Sequence, residues 1–125
     1  MSTSVIATTQ APAAIGPYSQ GTIAGNLVFT SGQLPTHPVT GDMPAEPGAQ
    51  ARQSLENVKS ILEAAGSSLE KVVKVTIFLQ NMEHFGAVNE VYTSFFSGAF
   101  PARSCVQVAR LPKDALVEIE AIAVK

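Results

Sequence analysis

The sequence predicts an α+β fold: a mixed β-sheet with both of its helices packed on one face. Three observations lead there. Ala49–Ala65 and the stretch around Phe85–Phe95 repeat apolar residues every three or four positions, the period of one helical face. β-Branched runs such as Val72–Gln80, VVKVTIFLQ, separate and follow them. The last run, Ala115–Val124, is largely aliphatic at both parities, so neither face of that strand suits water.

The elements follow in order. Met1–Gln10 is small and polar around Val5-Ile6-Ala7 and predicts an edge strand. APAAIGPYSQ, Ala11–Gln20, has two prolines and a glycine and predicts a loop. NLVFTS, Asn26–Ser31, predicts a strand stopped by Gly32, and the proline-rich Leu34–Gly48 a long surface connection. Ala51, Leu55, Val58, Leu62 and Ala65 define the apolar stripe of the first helix, and Gly66 its stop. After the strand Val72–Gln80, Asn81 caps a second helix carrying Phe85, Val88, Tyr92 and Phe95. Pro101 precedes a strand over Ala102–Ala109, and Leu111-Pro112-Lys113-Asp114 turns the chain into Ala115–Val124. That turn predicts a terminal hairpin with the last two strands as antiparallel neighbours. The count read this way is five strands and two helices.

The chain is expected to form one domain over residues 1–125, large enough to fold without a metal or disulfide staple. Charged residues are only 14%, against about 25% in an average soluble protein. So few charges imply that other subunits cover part of the surface, which the doubly apolar last strand also requires. A net charge of −2 with dispersed basic residues gives no footprint for nucleic acid. No Lys or Arg precedes Arg52, so neither a secretory signal nor a mitochondrial presequence is expected. No run is long enough for a membrane span, and a cytoplasmic location is expected, with use in a mitochondrion left open. One cysteine excludes an internal disulfide and a thiolate metal site.

The chemistry concentrates at the C-terminal end. Strand parity puts Arg103 and Cys105 on one face of their strand and Glu118 and Glu120 on one face of theirs. On neighbouring strands these charges have two readings. Arg103 neutralises a glutamate across the hairpin, or it stays free as a forked donor for a ligand carboxylate, with a glutamate orienting water or shuttling a proton. Cys105 has no histidine in any obvious strand pairing, so it reads as a packing residue or pocket wall before it reads as a nucleophile. His37 and His84 read as solvent-facing, with no metal-ligand spacing. Tyr18 in GPYSQG and Thr30–Gln33, TSGQ, can frame a pocket or simply make turns.

Read in order, IGPYSQG, FTSGQLP, ARQSLENVKSILEAAG, VNEVYTSFF, FPARSCVQVARLP and VEIEAIAV resemble the RidA (YjgF) family of reactive-intermediate deaminases, from about Ile6 to Val124. The resemblance implies a chorismate-mutase-like fold, with a six-stranded mixed sheet and two helices on one face. It also implies a homotrimer whose sheets form a central barrel, with clefts between subunits as sites. It implies hydrolysis of 2-imino acids and their enamines, such as 2-aminoacrylate and 2-iminobutanoate, to 2-keto acids and ammonia, without cofactor or metal. Carried over by motif, Arg103 would hold the substrate carboxylate, Cys105 would line the pocket, and Glu118 would orient the attacking water. Tyr18, Ser31 and Gly32 would frame the cleft, Asn89 would contribute from its rim, and Glu120 would be secondary. Two other readings stay open: an endoribonuclease or translation inhibitor, and a non-catalytic small-carboxylate-binding or chaperone-like module.

Overall fold

The computed structural model describes residues 3–125. Six strands, β1 (Thr3–Ile6), β2 (Gly21–Ala24), β3 (Leu27–Thr30), β4 (Val72–Leu79), β5 (Ala102–Gln107) and β6 (Val117–Val124), form one sheet in the order β1-β2-β3-β6-β4-β5. Only β4 and β5 run parallel. The helices α1 (Pro47–Ala64) and α2 (Phe85–Phe95) share one face. The mixed six-stranded sheet with two helices is thus the α+β architecture expected.

The core forms where the stripe of α1 meets the inward parity of the central strands. Ala51, Leu55, Val58, Ile61 and Leu62 are almost fully buried. So are Val75, Ile77 and Leu79 of β4 and Val117, Ile119, Ala121 and Ala123 of β6. Burying a Leu or Ile side chain contributes about 1.5–3 kcal/mol, so this layer outweighs any surface ion pair.

Two expectations are corrected. β2 was absent from the five-strand reading because GTIA is short and glycine-led. It pairs β3 through the two-residue turn Gly25-Asn26, with the positive φ of 58° falling on glycine, where no Cβ resists it. The terminal hairpin does not exist. β5 pairs β4 in parallel, and β6 pairs β4 from its other side, so a whole strand separates the two. The segment 108–116, longer than a hairpin turn, carries the chain across the end of β4 and places the apolar β6 centrally, hydrogen-bonded on both edges to β3 and β4.

The face away from the helices is the unusual one. In-register partners there include Leu27, Phe29 and Ile122, then Phe78 with Glu118 and Thr76 with Glu120. Val5, Leu27, Val106 and Val124 are exposed on or beside it. Exposed apolar side chains grouped on one sheet face are what an interaction face presents.

Candidate active site

Glu118 sits on the open face of β6 beside an irregularity of β3. From Phe29–Ile122 to Gln33–Ile119 the ladder advances four residues on the β3 side and three on β6. That extra residue is a bulge, which loops Ser31-Gly32 away from the pairing and over Glu118. Gln33 closes the bulge: its N–H donates to Ile119 O at 2.7 Å and its carbonyl accepts from Ile119 N at 3.2 Å. Thr30 Oγ1 meanwhile accepts from Ala121 N at 3.0 Å. Gly32 lies close against the carboxylate: a Cβ there would be 2.8 Å from Glu118 Cδ, nearer than atoms pack, so any larger residue would push the Glu118 head group aside.

Buried amides hold the loops around this carboxylate. Gln20 accepts from Thr8 N at 2.7 Å and donates to the carbonyls of Thr8, Ala11 and Pro12, fixing the first loop. Ser31 Oγ donates to Ser19 O at 2.6 Å, tying the bulge to the Tyr18 loop. Asn57 of α1 donates to Leu34 O and Thr36 O at 3.1 and 3.0 Å, pinning the proline-rich connection. The result is a cleft of ≈ 800 Å³ lined by Tyr18, Ser31, Gly32, Val39, Lys113 and Glu118, among others. Tyr18 is 52% exposed at its mouth. Burial, helped by the neighbouring Glu120 charge, raises the Glu118 carboxyl pKa from its ordinary value, the direction that suits a group accepting and returning a proton.

Arg103 lies on the opposite face. It pairs in register with Val75, a core residue beneath the helices, and Cys105 pairs with the buried Ile77. Arg103 Nη1 donates to Asn89 Oδ1 of α2 at 2.7 Å. Its Cζ lies 4.8 Å from the ring centroid of Tyr92 and 5.4 Å from that of Phe85. Among the described residues it has no carboxylate partner; the one salt bridge there is Arg110–Asp114 on the surface. The reading of Arg103 as half of a cross-hairpin ion pair is therefore overturned: β4 intervenes, and the glutamates face the other way. Asn89 stands against the guanidinium, in this half-site. Cys105 is partly buried, and burial raises its thiol pKa against the lowering pull of Arg103, the wrong direction for a thiolate nucleophile. His37 is exposed and His84 half-buried, and neither bonds Cys105.

The structure thus brings together Tyr18, Ser31, Gly32 and Glu118 in one cluster, and Asn89, Arg103 and Cys105 in another. The two aromatic faces on Arg103 were missed in the sequence. The signal was present: Phe85 and Tyr92 flank Asn89 at helical spacing, but they read as core stripe.

The family model described as Endoribonuclease L-PSP matches residues 8–125. The chain is 58% identical over 123 residues to the 2-iminobutanoate/2-iminopropanoate deaminase of Escherichia coli K12, covering 96% of each. The crystal structure of the E. coli YjgF gene product superposes with a TM-score of 0.95 at 56% identity, over 98% of each chain. That of E. coli TdcF with bound serine gives 0.95 at 54%, again over 98% of each.

Proposed function

The chain belongs to the endoribonuclease L-PSP (RidA/YjgF) family, and on that premise we propose that it is a 2-iminobutanoate/2-iminopropanoate deaminase, hydrolysing reactive 2-imino acids and their enamines to 2-keto acids and ammonia. One observation carries the reading: Arg103 is ordered without a carboxylate, so its fork is available for a substrate carboxylate. The serine bound in the TdcF structure, a small amino acid with a carboxylate, is consistent with that use.

The chemistry asks little more. An iminium carbon is already electrophilic, so catalysis needs a fixed carboxylate, a placed water and a proton carrier. Arg103 clamps the carboxylate. Glu118 takes a proton from water as its oxygen bonds to C2, giving a carbinolamine. The proton is returned to nitrogen, the C–N bond breaks, ammonia leaves, and the hydroxyl loses its proton as the C=O forms. Cys105 lines the wall, and Tyr18, Ser31 and Gly32 frame the cleft. No step calls on a metal or cofactor.

Arg103 and Glu118 point from opposite faces of one sheet, so one substrate reaches both only where two copies meet. We infer a homotrimer with open faces turned inward, each site taking Arg103, Cys105 and Asn89 from one chain and Glu118 and Tyr18 from the next. The apolar open face and the 14% charge content support this assembly. Among the described residues no helix is long and apolar enough to cross a membrane. We propose a cytoplasmic location and a single functional domain.

The test is a coupled assay in which a threonine dehydratase generates the imine and keto-acid release is followed. Arg103→Ala should lose acceleration by on the order of a hundredfold or more while remaining folded and oligomeric. Undiminished activity in that variant would end the proposal.

A further inference from the structure

Resting on the reading of Arg103 as carboxylate clamp, we propose that Phe85 and Tyr92 are positioning residues. They hold the guanidinium charge against their π faces, so that no protein carboxylate is needed to order it. An arginine side chain has many rotamers, and a clamp works only if much of that freedom is already lost. The commonest way to order it is a bidentate carboxylate, which fills the fork the substrate needs. A π face attracts the cation but is not a forked hydrogen-bond acceptor, so it does not take the place of the substrate carboxylate.

The geometry meets that requirement. Phe85, Asn89 and Tyr92 are four and three residues apart, so α2 presents them as one row. Two rings lie at 4.8 and 5.4 Å from Cζ, and Asn89 engages Nη1. Tyr92 is itself fixed: it is 3% exposed, and its ring lies 4.8 Å from Phe96 and 6.5 Å from Phe100. Its buried hydroxyl has no hydrogen-bond partner among the described residues, so the ring and not the Oη does the holding. Asn89 supplies one neutral acceptor and no competing charge, leaving four of the five guanidinium donors unclaimed by it.

The cage makes a prediction that simple packing does not. Asn89→Asp retains size and the contact to Nη1 but adds the missing carboxylate. It should impair substrate binding more than Asn89→Ala, because it occupies the fork while alanine only loosens it. The experiment measures KM and kcat in the coupled assay, and binding of 2-ketobutanoate by calorimetry, with Tm as the folding control. Phe85→Leu and Tyr92→Leu should raise KM and weaken 2-ketobutanoate binding roughly 3- to 30-fold, with kcat less changed. Tyr92→Phe should recover most of what Tyr92→Leu loses. If Tyr92→Leu does not fold, Phe85→Leu carries the test, since Phe85 is 36% exposed. A folded Phe85→Leu that binds 2-ketobutanoate like wild type while Arg103→Ala has lost it overturns the cage and leaves the clamp standing. So does Asn89→Asp behaving like Asn89→Ala. Wild-type binding by Arg103→Ala overturns clamp and cage together.

Discussion

The two halves of the proposed site are held by opposite means. Arg103 on β5 is positioned by attraction, with two aromatic faces and one amide from α2. Glu118 on β6 is positioned by crowding: the bulge of β3 lays Gly32 against its carboxyl group, and burial beside Glu120 makes its charged form costly. The difference fits the task proposed for each group. A clamp must keep its charge and its hydrogen-bonding edge, so it is surrounded by neighbours that take neither. A proton carrier must give up and regain charge near working pH, so it sits where charge is penalised. Because the halves occupy opposite faces, the fold separates two groups that would otherwise neutralise each other, and under the proposed mechanism it is assembly that brings them to one substrate.

The largest effect tests that separation. Arg103→Ala and Glu118→Ala should each be inactive alone. Co-expressed at equal levels with separable tags, they should recover about a quarter of wild-type turnover, because one random junction in four joins an intact Arg103 to an intact Glu118. Mixed oligomers with no activity would place both groups in one chain's site and break the comparison. A smaller effect probes the crowded half alone. Gly32→Ala should lower kcat roughly tenfold by displacing the Glu118 carboxyl, with little change in 2-ketobutanoate affinity. In a Glu118→Ala background the same substitution should cost no further stability, since the group it meets is gone; an undiminished Tm penalty there would locate the clash elsewhere.

Much of this was legible beforehand, and the failures have physical causes. The stripe of α1 declared itself because five apolar residues at helical spacing admit one orientation. The parity of β5 and β6 correctly grouped Arg103 with Cys105 and Glu118 with Glu120. Parity is internal to a strand, however, and does not say which face of the sheet each group takes. That depends on register against β4, where Arg103 falls opposite Val75 and Glu118 opposite Phe78. Pairing is a long-range choice that the turn at Leu111–Asp114 misreported, since a turn near a strand implies a neighbour only when the link is short. β2 escaped because four residues led by glycine carry little pattern, although Gly25-Asn26 between two apolar pairs is a hairpin signal. The bulge at Ser31-Gly32 lacked even that, as it exists only relative to β6.

A pH experiment sharpens the crowded half further. Glu118 has its carboxyl pKa raised in the folded chain, by burial first and by Glu120 second. The folded state therefore holds its proton to higher pH than the unfolded chain, whose ordinary value is near 4.5. Stability is lost as pH climbs from that value through the folded pKa, and the penalty is complete above it. Glu118→Gln, which cannot ionise, should raise Tm by a small margin at pH 7 and leave it unchanged at pH 4. Solvent at this partly exposed group screens the effect, so the margin is small. A Tm increment equal at both pH values would show that charge is not what the site penalises.

The smallest effect concerns the far lip of the same cleft, where the chain turns from β5 toward β6. Lys113 and Asp114 both have positive φ, 58° and 55°, without being glycine. The Arg110–Asp114 ion pair at 2.7 Å helps hold the turn, but both side chains are well exposed, so that pair contributes little. The strain is held mainly by what flanks it: Leu111 and Ala115 are buried on either side, and Gln50 Oε1 of α1 accepts from Leu116 N at 2.7 Å. Left-handed backbone at a non-glycine residue costs on the order of 1 kcal/mol, and glycine returns part of that gain through its greater freedom in the unfolded chain. Lys113→Gly should therefore raise Tm by no more than a degree or two, roughly the shift expected of a few tenths of a kcal/mol in a domain of this size. Lys113→Ala, which removes the same amine but keeps a Cβ, should give no such rise. Equal gains from the two would assign the effect to charge at the cleft mouth and not to the backbone.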